Sequence, residues 1–124
     1  MLLALACLLS VTTQNVLASE VGKASYYGKE ECKKDGTCFT ASGKDLRKLE
    51  ADGILFAAKW DVPFGTRYEV RNRNNGKKVI AEIWDRGPNR RLSSSRIIDL
   101  CEAAFAKIAD KKEGLVPVEI TRLP

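Results

Sequence analysis

The sequence predicts a small, mainly β domain of the barrel or sandwich class. Three observations carry that prediction: several short apolar or alternating runs bounded by turn residues, one hairpin marked by an Asn-Gly pair, and a single helical segment close to the C-terminal end. The chain has 124 residues, one domain's worth, without repeats or low-complexity runs.

In chain order, residues 22–28 read as a strand bounded by Gly22 and Gly28. A charged, turn-like stretch follows to Gly36, and then the small-residue loop Thr40-Ala41-Ser42-Gly43. Residues 44–53 alternate charges with Leu46 and Leu49, which fits one or two helical turns on the surface. The apolar run 54–60 predicts a buried strand, and Pro63 and Gly65 punctuate it. Residues 66–72 and 77–84 alternate, with Tyr68 and Val70 on one face of the first and Val79, Ala81 and Ile83 on one face of the second. Asn75-Gly76 between them supplies the positive φ of a tight turn, so the pair predicts a β-hairpin. Residues 96–100 form another short strand. Residues 102–109 form a helix on which Phe105 and Ile108 share a face with Cys101. Asp99, with Glu102 three positions on, has the spacing of a helix cap. A last strand covers 115–123, where Pro117 calls for an edge or strand-start position.

Residues 1–18 carry no charge, hold a short apolar run from Leu2 to Leu9, and end in Val16-Leu17-Ala18. This reads as a secretory signal peptide cut before Ser19, leaving a domain over 19–124 in the cell envelope or outside the cell. The run is too short for a membrane span, and no basic residue precedes it. The alternative is lipidation at Cys7, where Ala4-Leu5-Ala6 matches a lipobox only loosely. The net charge of +5 favours anionic partners, and secretion points to a wall polymer or membrane surface rather than nucleic acid. With no histidine, the usual Ser-His-Asp and Cys-His systems and most catalytic zinc sites are excluded. Proton transfer falls to Asp, Glu, Lys, Tyr or Cys. Beyond Cys7, the cysteines are Cys32, Cys38 and Cys101. In an oxidising compartment two of them are expected to pair, and the spacing leaves open which. The chemistry calls for no cofactor and no metal, and the domain is expected to act as a monomer.

Trp84-Asp85-Arg86-Gly87-Pro88 is the most informative segment. It closes an alternating strand with a turn, which puts Asp85 at the strand's mouth, where backbone N–H groups can hold a carboxylate within reach of a ligand. A basic, serine-rich stretch follows to Arg96, suited to sugar hydroxyls and carboxylates. Asp99 is a second carboxylate that reaches the same groove if its strand neighbours that of Asp85, and two carboxylates can divide acid and base roles on a glycan. Thr40, Ser42 and Gly43 form a polar loop suited to lie beneath that groove. Tyr26, Tyr27, Trp60 and Trp84 are flat surfaces for sugar rings or, equally, core residues.

These motifs, in this order, resemble the RlpA-like family, whose barrel is similar to that of expansins and barwin proteins. The matching pieces are Ala24-Ser25-Tyr26-Tyr27-Gly28, Thr40-Ala41-Ser42-Gly43, Pro63-Phe64-Gly65-Thr66, Val70-Arg71-Asn72 with Asn75-Gly76-Lys77, Asp85-Arg86-Gly87-Pro88, and Arg96-Ile97-Ile98-Asp99-Leu100 with Ala103-Ala104-Phe105. The resemblance implies a six-stranded double-psi β-barrel with one or two short helices. It also implies a role on peptidoglycan glycan strands, as a lytic transglycosylase that cleaves between N-acetylmuramic acid and N-acetylglucosamine and leaves 1,6-anhydro ends. Asp85 takes the position of the family's site aspartate, with Asp45 and Asp99 as further acid/base candidates. Thr40, Ser42, Gly43, Tyr27, Lys59, Trp84 and Arg86 are the candidates for holding the glycan.

Two positions depart from the pattern. Active members usually carry Glu where Lys44 stands, just before Asp45, and His where Lys59 follows Ala57-Ala58. The alternative reading is therefore a non-catalytic, expansin-like wall binder, and a disulfide-held barwin-like defence protein is a third.

Overall fold

The computed structural model describes residues 18–33, 36–91 and 94–124. The expected leader, Cys7 included, lies outside them but for Ala18.

Six strands close into a barrel: β1 (Ser19–Tyr27), β2 (Phe56–Ala58), β3 (Arg67–Asn72), β4 (Lys78–Asp85), β5 (Arg96–Cys101) and β6 (Val116–Arg122), in the order β1-β5-β2-β4-β3-β6. The pairs β1–β5 and β2–β4 are parallel and the other four are antiparallel. Closure leaves no strand edge unpaired. Two short helices, α1 (Leu46–Ala51) and α2 (Glu102–Ile108), join the strands and bury Leu46 and Leu49, and Ala104, Phe105 and Ile108, in the core. This is the closed six-stranded β-barrel that the motif series implied.

The core follows the strand alternation. Val70, Val79, Ala81, Ile83, Ile98, Leu100, Val118 and Ile120 fill the interior with Phe56, Phe105 and Ile108. The hairpin forms as its residues dictate. Gly76 takes φ 77°, Asn72 Oδ1 accepts the Asn74 amide, and Asn75 Oδ1 accepts the Lys77 amide. Asn72 is itself buried and donates through Nδ2 to the carbonyl of Ile108 at 2.7 Å, tying the hairpin to the end of α2. At Gly22 a side chain is excluded. A Cβ there would lie 2.7 Å from the Ser95 carbonyl, where β5 begins its run beside β1.

Several boundaries differ from the sequence pattern. β1 starts at Ser19, before Gly22. Its first residues are exposed and give no apolar signal, but their backbone pairs with β6, Ser19 opposite Thr121. The buried run 54–60 narrows to three paired residues, Phe56–Ala58. Pro117 sits at the second position of β6, beyond the end of β3, whose last partner is Val118; this is the strand-start alternative, not an edge. Asp99 does not cap α2. The strand runs on to Cys101, which takes the cap position without a side-chain bond, because Leu100 and Cys101 stay paired to Tyr26 and Tyr27.

Among the cysteines, Cys32 and Cys38 form the disulfide, with Cα atoms 4.7 Å apart, and Cys101 is a buried free thiol. The long Cys38–Cys101 link is thereby excluded. The Phe56 amide points at Cys101 Sγ at 3.4 Å, and burial pushes that thiol's pKa up. No helix among the described residues is long and apolar enough to cross a membrane.

Candidate functional site

The parallel pairing of β2 with β4 and the antiparallel pairing of β2 with β5 bring the ends of three strands together. Ala58 lies opposite both Asp85 and Asp99. The two carboxylates, fourteen positions apart in the chain, thus line one hollow of about 360 Å³ at the mouth of the barrel. Tyr26, Tyr27, Arg86 and Arg96 complete most of its wall.

Asp85 is half-buried and its carboxylate is aimed by three donors. Oδ1 accepts the amides of Ala41, at 2.8 Å, and of Arg86, at 2.9 Å. Oδ2 accepts the hydroxyl of Tyr27 at 2.9 Å. Burial, and then the charge of Asp85 beside it, raises the Tyr27 pKa far above its ordinary value, so this hydroxyl remains a donor wherever the protein functions. The Ala41 amide comes from the small-residue loop, which holds itself in place: Thr40 Oγ1 lies 2.7 Å from Ser42 Oγ and donates to the Lys44 carbonyl, while Gly43 takes φ 89°. Thr40 is buried and Ser42 half-buried, so the loop meets Asp85 through backbone rather than through its hydroxyls.

Asp99 accepts from Ser25 Oγ at 3.0 Å, and Ser25 Oγ accepts from Arg96 Nη2 at 2.8 Å. A chain of hydrogen bonds therefore links the guanidinium on one wall of the hollow to the carboxylate on another.

Of the remaining candidates, only Arg86 lines this hollow. Asp45 is the cap of α1, where its carboxylate accepts the Arg47 amide at 2.9 Å and has its pKa lowered by that bond; it lines a separate depression with Phe39 and Lys44. The Lys44 ammonium lies 4.6 Å from the ring centre of Trp84, whose Nε1 donates to Glu82. The buried Lys59 turns to Glu20, at 3.2 Å, in an adjoining hollow. Arg86 lines the main hollow, but its Nη1 donates to the Lys59 carbonyl and its guanidinium stacks 3.9 Å over Phe64. The roles of the Ala41 amide and of Ser25 left no mark in the sequence. A backbone donor has no residue signature, and Ser25 acquires its partners across more than seventy positions. Among the described residues, no group of three or more His, Cys, Asp or Glu side chains is placed to hold a metal ion.

The profile of the lytic transglycolase family matches residues 19–120. The chain belongs to that family. This lytic transglycolase domain is 40% identical over 99 residues to a probable endolytic peptidoglycan transglycosylase RlpA of Aquifex aeolicus, covering 79% of this chain and 38% of the relative. It is 37% identical over 105 residues to the endolytic peptidoglycan transglycosylase RlpA of Rickettsia bellii, covering 85% of this chain and 43% of the relative. It thus spans well under half the length of these two relatives. Among solved structures, its barrel is similar to a Clavibacter michiganensis expansin crystallised with cellohexaose, with TM-score 0.63 and 17% identity over 86% of this chain and 51% of that one. It is similar also to the Streptomyces papain inhibitor, with TM-score 0.63 and 23% identity over 86% of this chain and 96% of that one. At these identities the two structures speak for the fold alone. Family and fold together make the chain an RlpA-like double-psi β-barrel.

Proposed function

We propose that this domain acts in the cell envelope on peptidoglycan glycan strands as a lytic transglycosylase, with Asp85 as acid and then base. The observation that carries the proposal is the triple anchoring of the Asp85 carboxylate inside a hollow that Asp99 also lines. The names of the relatives supply the substrate class.

In the first step the protonated Asp85 carboxyl gives its proton to the glycosidic oxygen, and the bond from that oxygen to C1 of the muramic ring breaks. In the second, the C6 hydroxyl of the same ring bonds to C1 and its proton returns to Asp85. No water is consumed, the leaving sugar gains a hydroxyl, and the muramic end closes as a 1,6-anhydro ring. Tyr27 and the two amides fix the carboxylate in one orientation through both transfers. Asp99 is the second carboxylate of the hollow, available to share acid and base roles.

The test is digestion of purified sacculi. Release of anhydro-muropeptides above an Asp85→Ala control is expected, and parity with that control would sink the assignment. A second reading, a binder that does not cut, draws on one observation: at the two positions that depart from active relatives, the cations are engaged elsewhere, Lys44 with Trp84 and Lys59 with Glu20. It predicts retention on sacculi, lost on replacing Asp85, with no anhydro products.

A further inference from the structure

The hollow around Asp85 continues into a second one of about 310 Å³, and the two share Pro88 and Arg96. The wall of the second hollow carries three cations, Lys59, Arg90 and Arg96, against two carboxylates, Glu20 and Asp61. Two of the cations are matched: Lys59 Nζ lies 3.2 Å from Glu20 and Arg90 Nη2 lies 3.0 Å from Asp61. Arg96 is the one cation of this wall that neither of its two carboxylates pairs with, and its link to Asp99 in the first hollow runs through Ser25 Oγ.

Its hydrogen bonding is equally incomplete. A guanidinium carries five N–H donors in a planar fork. Arg96 spends one on the neutral hydroxyl of Ser25, while its Nε is buried without any acceptor. The fold has therefore placed a guanidinium at the junction of two hollows with no direct carboxylate partner among the described residues, joined to Asp99 only through the Ser25 hydroxyl, and the part-exposed side chain faces both. Beside it, the Trp60 ring is fixed by a 2.7 Å bond from Nε1 to the Pro88 carbonyl, and Arg90 stacks on it at 4.4 Å. A fork with donors to spare next to a fixed aromatic ring suits an acidic sugar, with apolar ring surface against Trp60 and a carboxylate on Arg96.

We propose that Arg96 is the anchor of a carboxylate subsite that selects acidic sugars for the adjoining Asp85 hollow. The inference rests on the glycan reading above and adds the group by which the glycan is recognised. In a wall glycan that carboxylate comes from the lactyl group of muramic acid or from an attached peptide.

The test is NMR titration of the folded domain with three probes: N-acetylmuramic acid, its methyl ester, and N-acetylmuramyl-L-alanyl-D-isoglutamine. The acid is expected to bind at least tenfold more tightly than the ester, with shifts centred on Arg96 and Trp60. The dipeptide carries its carboxylate on the peptide alone. Binding like the acid assigns the subsite to peptide carboxylates as well, and binding like the ester restricts it to the lactyl group. Arg96→Gln is expected to bring the acid down to the ester's affinity and leave the ester unchanged, with Arg96→Lys in between. If Arg96→Gln does not fold, the comparison of acid with ester on the unaltered domain decides. Equal affinity of acid and ester, or no binding of the acid, overturns the proposal. A domain that prefers the acid yet releases no anhydro products keeps this subsite and loses the transglycosylase; one that cleaves sacculi without that preference does the reverse.

Discussion

The hydroxyl of Tyr27 donates to Asp85 Oδ2 at 2.9 Å across 58 positions of the chain, joining the end of β1 to the end of β4 inside the barrel's mouth. Parallel pairing of β1 with β5, and of β2 with β4, creates this meeting, since neither strand neighbours the other in the barrel order. Tyr27 is thus a positioning residue for the carboxylate that the proposed chemistry uses.

Replacing Tyr27 by Phe keeps the ring and its edge-on contact with Phe56 while removing the one side-chain donor to Asp85 among the described residues. A hydrogen bond to a charged group contributes about 1.5–3 kcal/mol, which corresponds to a loss of roughly 10- to 100-fold in rate if the bond is needed to orient the carboxylate. Anhydro-muropeptide release from sacculi measures it, and retention on sacculi should stay close to that of the unaltered domain. Release within twofold of the unaltered domain would show that the two backbone amides suffice.

The same bond has a consequence for stability in alkali. In the folded domain the Tyr27 pKa is raised, first by burial and then by the charge of Asp85. In the unfolded chain it titrates near 10. Below that pH the tyrosine is protonated in both states and its titration adds nothing to the pH dependence. Above it the unfolded state loses the proton while the folded state keeps it, so stability falls as pH rises, by about 1.4 kcal/mol per pH unit for such a group. Denaturant melts of the unaltered domain and of Tyr27→Phe between pH 9 and 11 should show the phenylalanine variant losing less. Cys101, also raised by burial, acts in the same direction in both proteins and cancels from the comparison. Parallel pH profiles would contradict this account.

What the sequence made legible and what it did not divide along contact distance. The β3–β4 hairpin could be read because Asn75-Gly76 and the alternation of Val79, Ala81 and Ile83 are local, and burial follows that alternation. The six motifs together implied the closed barrel that no single strand pattern could. Asp99 suited a cap by its spacing to Glu102, yet the pairing of Tyr26 and Tyr27 with Leu100 and Cys101 carries the strand past it. Asp45 shows the reverse: as a neighbour of the family's Glu position it suited a site role, and the local pull of the Arg47 amide makes it a cap. That backbone amides hold Asp85 followed from its place at the strand's mouth, but its distant donors were out of reach, because one is an amide 44 positions away and another a tyrosine 58 away.

The Cys32–Cys38 bond ties stability to the site. Cys38 is buried, its carbonyl accepts the Leu46 amide at the start of α1, and three residues on the Ala41 amide holds Asp85. Closing so short a loop stabilises the fold by about 2 kcal/mol in the chain-entropy model. Reduction, or replacement of both cysteines by Ser, is expected to lower the unfolding free energy by that amount and to weaken glycan cleavage or retention, because the segment carrying Ala41 loses its upstream anchor. Thiol labelling of a domain beginning at Ser19 checks the pairing: no rapid reaction in the native state, and one equivalent at Cys101 after unfolding without reductant. Peptide mapping under the same conditions should recover Cys32 cross-linked to Cys38. A cross-link to Cys101, or full activity after reduction, would separate the disulfide from the site and leave the Ala41 amide to the loop's own bonds, from Thr40 to Ser42 and Lys44.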